Sequence, residues 1–165
     1  MKEVKHIEVP KEWESENDWD SHRGLLYLAL KNSGDKIWEL GCGFGSTPLI
    51  QKYCEENGKW FGSIDENKEW AAKFSCTQYL QYEKIEQYLP CSLLFVDCAP
   101  GELRKHLIGK YKDRCDVIVV HDTEPGAEYV YGMSEILSTF KYRLDYQPEG
   151  KPHTTAVSNL VNILN

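Results

Sequence analysis

The chain has 165 residues, enough for one domain with a full core, and 41% of them are apolar. A formal net charge of −7 argues against a nucleic-acid partner, because phosphate recognition draws on a clustered basic face. No apolar stretch approaches a membrane span and no secretory leader is visible, so a cytoplasmic protein with no membrane partner is expected.

The first twenty residues, ending in KEWESENDWD, are acidic, hold two tryptophans, and read as an arm or lid. DSHRGLLYLALKNSG then reads as a short helix, with Asp20 or Ser21 as its cap and Gly34 at its end. His22 and Arg23, at its start, are read as capping residues. KIWELG (36–41) is a predicted strand. PLIQKYCEENG is a helix with Leu49, Ile50, Tyr53 and Cys54 on one face. WFGSID is a second strand and NKEWAAKF a second helix of this alternating series. Residues 75 to 89 suggest a helix end and a short third strand.

SLLFVD is a fourth strand, followed by a helix from Glu102 to about Asp113, and the cluster of Arg104, Lys105, Lys110, Lys112 and Arg114 looks like a solvated helix face. DVIVV is a fifth strand, and its unbroken apolar run suits a sheet covered on both faces. Met133, Ile136, Leu137 and Phe140 keep helical spacing, and YRLDYQ, PEGK and HTTAVSNLV form a terminal hairpin. The six cysteines include no Cys-x-x-Cys pair and no zinc-type spacing, so they read as small buried hydrophobes.

Repeated βα units imply a parallel sheet wrapped by helices, with ligands beyond the carboxyl ends of the strands. Those ends carry Glu39 to Gly45, Asp65, Asp97, and His121 with Asp122. In ELGCGFGSTP, Gly41, Gly43 and Gly45 allow a tight turn and close backbone approach to a ligand, and Thr47 with Pro48 opens a helix. The dinucleotide pattern Gly-x-Gly-x-x-Gly fails, because its third glycine falls at Ser46.

What remains, an acid, one residue and then Gly-x-Gly-x-Gly, resembles the first motif of class I S-adenosylmethionine-dependent methyltransferases, matched by Glu39, Gly41, Gly43 and Gly45. The resemblance runs from about Lys36 to the end of the chain. It implies a single Rossmann-like α/β domain over 1–165, with a mostly parallel seven-stranded sheet and a C-terminal antiparallel hairpin. It also implies S-adenosylmethionine as cofactor, held by Glu39, Gly41, Gly43, Gly45, Thr47, Asp65 and Asp97, with Asp65 placed to clamp the ribose. Nothing in QYLQYEKIEQYLP matches the family's adenine-contact motif.

Asp97 and Asp122 end adjacent strands, an arrangement similar to that of metal-dependent O-methyltransferases, which hold magnesium between two such acids. The resemblance implies Asp97 and Asp122 as ligands for Mg2+. Thr123 stands where that family has an amide ligand and Pro100 where it has a lysine base, so His121, with Asp122, becomes the catalytic candidate. The His-Asp-Thr ending also resembles methyltransferase-like proteins associated with sugar and polysaccharide modification. The expected function is O-methylation of a small-molecule or sugar hydroxyl, with a homo-oligomer supplying any missing wall of the acceptor pocket. The alternatives are a methyltransferase-fold scaffold without turnover and a nicotinamide-dependent oxidoreductase.

Overall fold

A computed structural model of the chain describes residues 1–163, so the last two residues of the expected domain lie outside the described residues. The alternating pattern folds as read. Strands Lys36–Leu40 (β2), Trp60–Asp65 (β3), Thr77–Tyr79 (β4), Cys91–Val96 (β5) and Cys115–His121 (β6) run parallel. Tyr142–Tyr146 (β7) and Thr154–Ser158 (β8) form the terminal antiparallel hairpin, with β8 inserted beside β6. Between them lie the helices Arg23–Asn32 (α1), Thr47–Glu56 (α2), Lys68–Ala71 (α3), Leu103–Tyr111 (α4), Glu128–Tyr131 (α5) and Ser134–Ser138 (α6).

The sheet has eight strands rather than the expected seven, because Lys2–Val4 (β1) pairs in parallel with the outer edge of β7. The N-terminal segment is therefore part of the fold. Trp13 is buried and meets the rings of Tyr27 and Tyr53 at 5.4 and 6.1 Å, which fastens this segment to α1 and α2. An edge strand offers unpaired amides and carbonyls, and β1 covers those of β7.

Alternate residues of the central strands feed two cores. Trp38, Leu40, Leu94, Val96, Ile118 and Val120 face α4 and α6. Ile37, Leu93, Phe95, Val117 and Val119 face α1 and α2. That two-sided burial explains the unbroken apolar runs. Leu40 pairs with Val96, and Val96 with Val120. The residues that follow them therefore emerge in one row, at the point where β2 has neighbours running to either side.

Candidate functional site

The glycine loop leaves β2 between two buried carboxylates. Glu39 is fully buried and accepts hydrogen bonds from the hydroxyls of Ser46, Thr47 (2.7 Å) and Ser63 (2.8 Å). Burial pushes its pKa up to about 7, against the three hydroxyls, which favour the anion. Asp65 accepts from the Cys42 amide at 3.0 Å and the Asn67 amide at 2.8 Å. Both acids thus brace the loop from behind.

Gly41 has φ +90°, and a Cβ there would stand 2.5 Å from the Asp97 carbonyl oxygen, so the loop crosses the end of β5 only with glycine. Gly43 differs. A Cβ built on it meets nothing within 4 Å, because it faces the open cavity.

The opposite wall is an ionic cluster. Arg104 is buried, and its guanidinium reaches Asp97 Oδ1 at 3.0 Å and Asp122 Oδ2 at 2.8 Å. Its Nε also donates to the Cys98 carbonyl, and the Tyr131 ring lies 4.9 Å from the guanidinium carbon. Asp122 has φ +58°, a left-handed conformation that few non-glycine residues adopt and that turns its carboxylate back onto Arg104. The two carboxylates and one guanidinium leave one net negative charge.

His121 sits behind this cluster. Its Nδ1 is 3.5 Å from Asp97 and 3.6 Å from Asp122, and its Nε2 is 2.9 Å from the Ser21 hydroxyl. Burial opposes a charge on the ring, but Asp97 and then Asp122 hold its pKa above the ordinary histidine value. Burial also works against the Asp97 carboxylate, yet His121 and Arg104 bring that group down to about 2. His22 meets the His121 ring edge-on at 4.8 Å and lies tilted against Phe95 at 5.0 Å. It is buried with no hydrogen-bond partner for either ring nitrogen, and burial, with His121 adding to it, pushes its pKa down to about 3.

Between the two walls lies a cavity of about 830 Å³, a volume usual for a small-molecule or cofactor site. Of the sequence-predicted residues, Gly43, Gly45, Asp97, His121 and Asp122 line it, whereas Glu39, Gly41, Thr47 and Asp65 do not. Phe44 and Trp70 form an aromatic side wall, in edge contact at 5.7 Å, and Trp19 stands exposed at the mouth.

Three sequence readings need correction here. Arg104 belongs to no solvated face, because the acids at the two strand ends draw it inward. His22 makes no side-chain cap on α1. Asp20 does not cap α1 either, since it accepts from Ser15 and from the Asn17 amide and closes the preceding turn. No local signal marks Arg104 or His22, because their partners are set by the register of β5 and β6.

The magnesium expected at Asp97 and Asp122 is not supported. The Arg104 guanidinium binds both carboxylates, so a cation at that place would have to displace a buried positive charge.

This glycine loop, strand order and reversed β8 define the class I methyltransferase fold. No protein-family model matches the chain, and no curated protein matches its sequence. Solved structures do match in fold. WbdD, determined with a kinase inhibitor, aligns with TM-score 0.60 and 14% identity over 94% of this chain, which spans only 45% of WbdD. The precorrin-6y C5,15-methyltransferase of Geobacter metallireducens aligns with TM-score 0.55 and 12% identity, over 92% of this chain and 98% of that one. Fibrillarin of Methanococcus jannaschii, a pre-rRNA processing protein, aligns with TM-score 0.58 and 15% identity, over 87% and 78%.

The last of these overturns the exclusion of nucleic acid, and with it the restriction to a small-molecule or sugar acceptor. A net charge sums the whole surface, whereas partner choice follows local potential, and an RNA-processing protein uses this same fold. Among the described residues no helix is long and apolar enough to cross a membrane.

Proposed function

We propose that the cavity binds S-adenosylmethionine and that the protein transfers its methyl group to an acceptor oxygen. Gly43 carries this reading: it presents bare backbone to a cavity of cofactor size at the carboxyl end of the sheet. The wall facing it presents the Asp97 and Asp122 carboxylates, whose oxygens favour a nearby sulfonium cation. Gly43, Gly45 and Ser46 would hold the amino-acid end of the cofactor, with Phe44 and Trp70 beside its planar part. Glu39, Thr47 and Asp65 would keep the loop in shape from behind.

The bound cofactor supplies an activated methyl group on a good leaving group. The chain's own task is then to align the acceptor and accept its proton. Asp122 faces the cavity and would hydrogen-bond the acceptor hydroxyl, with Arg104 fixing the carboxylate. His121 would position Asp97 and Asp122, since its Nε2 is engaged by Ser21 and its Nδ1 lies between the two acids.

Calorimetric titration with S-adenosylmethionine, S-adenosylhomocysteine and NADH tests the reading, repeated on Gly43→Val. A valine there clashes with no protein atom near its Cβ but enters the cofactor's space, so micromolar binding of the first two should weaken at least tenfold while the melting temperature holds. Binding of NADH alone would sink the proposal, as would binding of none of the three. Acceptor screening should then include sugars and RNA side by side.

A further inference from the structure

Ser21 has one hydroxyl proton, and it goes to the Pro152 carbonyl at 3.0 Å. The His121 Nε2 at 2.9 Å must therefore be the donor to Ser21, which leaves Nδ1 as the nitrogen that faces Asp97 and Asp122. A bare lone pair facing two carboxylates is unfavourable, so a positive species belongs between them. A proton on Nδ1 would answer that need. It would do nothing for His22, whose two ring nitrogens are buried without a partner beside the same group. Unsatisfied buried polar atoms are costly, and one ion can take a nitrogen from each ring.

We infer that His22, His121 and Asp97 form a binding site for a divalent transition-metal ion. One ligand atom from each of the three lies within 4.8 Å of the others. Donors around a metal at about 2.1 Å stand roughly 3 to 3.5 Å apart, so small side-chain rotations close the set. Arg104 holds Oδ1 of Asp97 at 3.0 Å, the oxygen that also faces His121 Nδ1 at 3.5 Å, so a turn of the carboxylate is needed to bring Oδ2 to the ion. Two imidazoles and one carboxylate suit Zn2+, Fe2+ or Co2+ rather than magnesium, and three protein ligands leave coordination positions open. All three residues line the cavity, so those positions face the space where an acceptor would sit. Ser21 acts from behind, fixing the His121 tautomer through Nε2. This site differs from an Asp97–Asp122 pair, whose shared space Arg104 occupies.

The test uses a His6→Ala, His106→Ala, His153→Ala protein, in which His22 and His121 are the only histidines left of five. After chelator treatment it is titrated calorimetrically with Zn2+ and with Co2+, without cofactor. One equivalent should bind with micromolar or tighter affinity, and Co2+ should develop visible absorption bands. Adding His22→Phe, which keeps an aromatic ring against Phe95, should weaken binding at least tenfold. Long-range 1H–15N spectra read the same event without touching the site: both remaining imidazoles should shift on Zn2+ addition. No binding at 100 μM of either ion, or unmoved imidazole resonances, would overturn the inference, as would undiminished binding in a folded His22→Phe protein. Because no methyl donor is present, failure here leaves the S-adenosylmethionine reading standing, and the converse also holds.

Discussion

Arg104 donates from Nη1 to Asp122 Oδ2 at 2.8 Å, although Arg104 lies in the first turn of α4 and Asp122 follows the end of β6. With Asp97 on its other nitrogen, this guanidinium is the charge that lets two acids stand at neighbouring strand ends.

Removing that charge should be costly. Arg104→Met keeps much of the side-chain volume but leaves two partly buried carboxylates with only His121 beside them, and we expect a loss of about 3 kcal/mol in unfolding free energy by urea titration. Arg104→Lys should recover only part of this, because a single ammonium cannot make the same fork of bonds. A variant as stable as the wild type would show that the cluster is solvated well enough to need no cation.

Glu39 predicts a pH dependence of defined sign. Its folded pKa of about 7 lies above the unfolded value of 4.5, so the folded form holds a proton that the unfolded chain has already lost. Ionisation thus costs stability as pH rises from about 4.5 to 7, by roughly 3 kcal/mol in all, and the cost stays constant above that range. Glu39→Gln should therefore gain on the wild type across this window and level off beyond it. The difference between the two unfolding curves cancels other groups, including His22, whose contribution runs the opposite way. A flat difference would show that the three hydroxyls stabilise the anion fully.

Two glycines of one loop should behave differently. Gly41→Ala forces a side chain into a left-handed backbone and onto the Asp97 carbonyl, and should lower stability by about 2 kcal/mol or more. Gly43→Ala meets open space and should lie within about 0.5 kcal/mol of the wild type. Equal effects in thermal melts would mean that the loop relaxes freely.

Trp13 tests whether the N-terminal segment is part of the fold. Its ring is buried against Tyr27 and Tyr53, so Trp13→Ala should cost about 3 kcal/mol and speed proteolysis within the first twenty residues. An unchanged melting temperature would return the segment to the arm or lid suggested by its composition.

The parts of this protein legible in its sequence are those encoded by local physics. Apolar runs and helical spacing specify the βα alternation, and glycine spacing specifies the loop, because each depends on residues a few positions apart. Carboxylates at strand ends are visible for the same reason. The partners of those carboxylates are not. Arg104 looks solvated among its lysines and folds inward only because β5 and β6 bring Asp97 and Asp122 together. His22 resembles a helix cap until Ser21 meets His121, one hundred residues away, and draws the two rings into contact. β1 is too short to announce itself and exists because the edge of β7 offers it hydrogen bonds. Local sequence determines the scaffold and the loop. Which polar groups end up buried together is decided by strand register, a long-range property that only the folded sheet possesses.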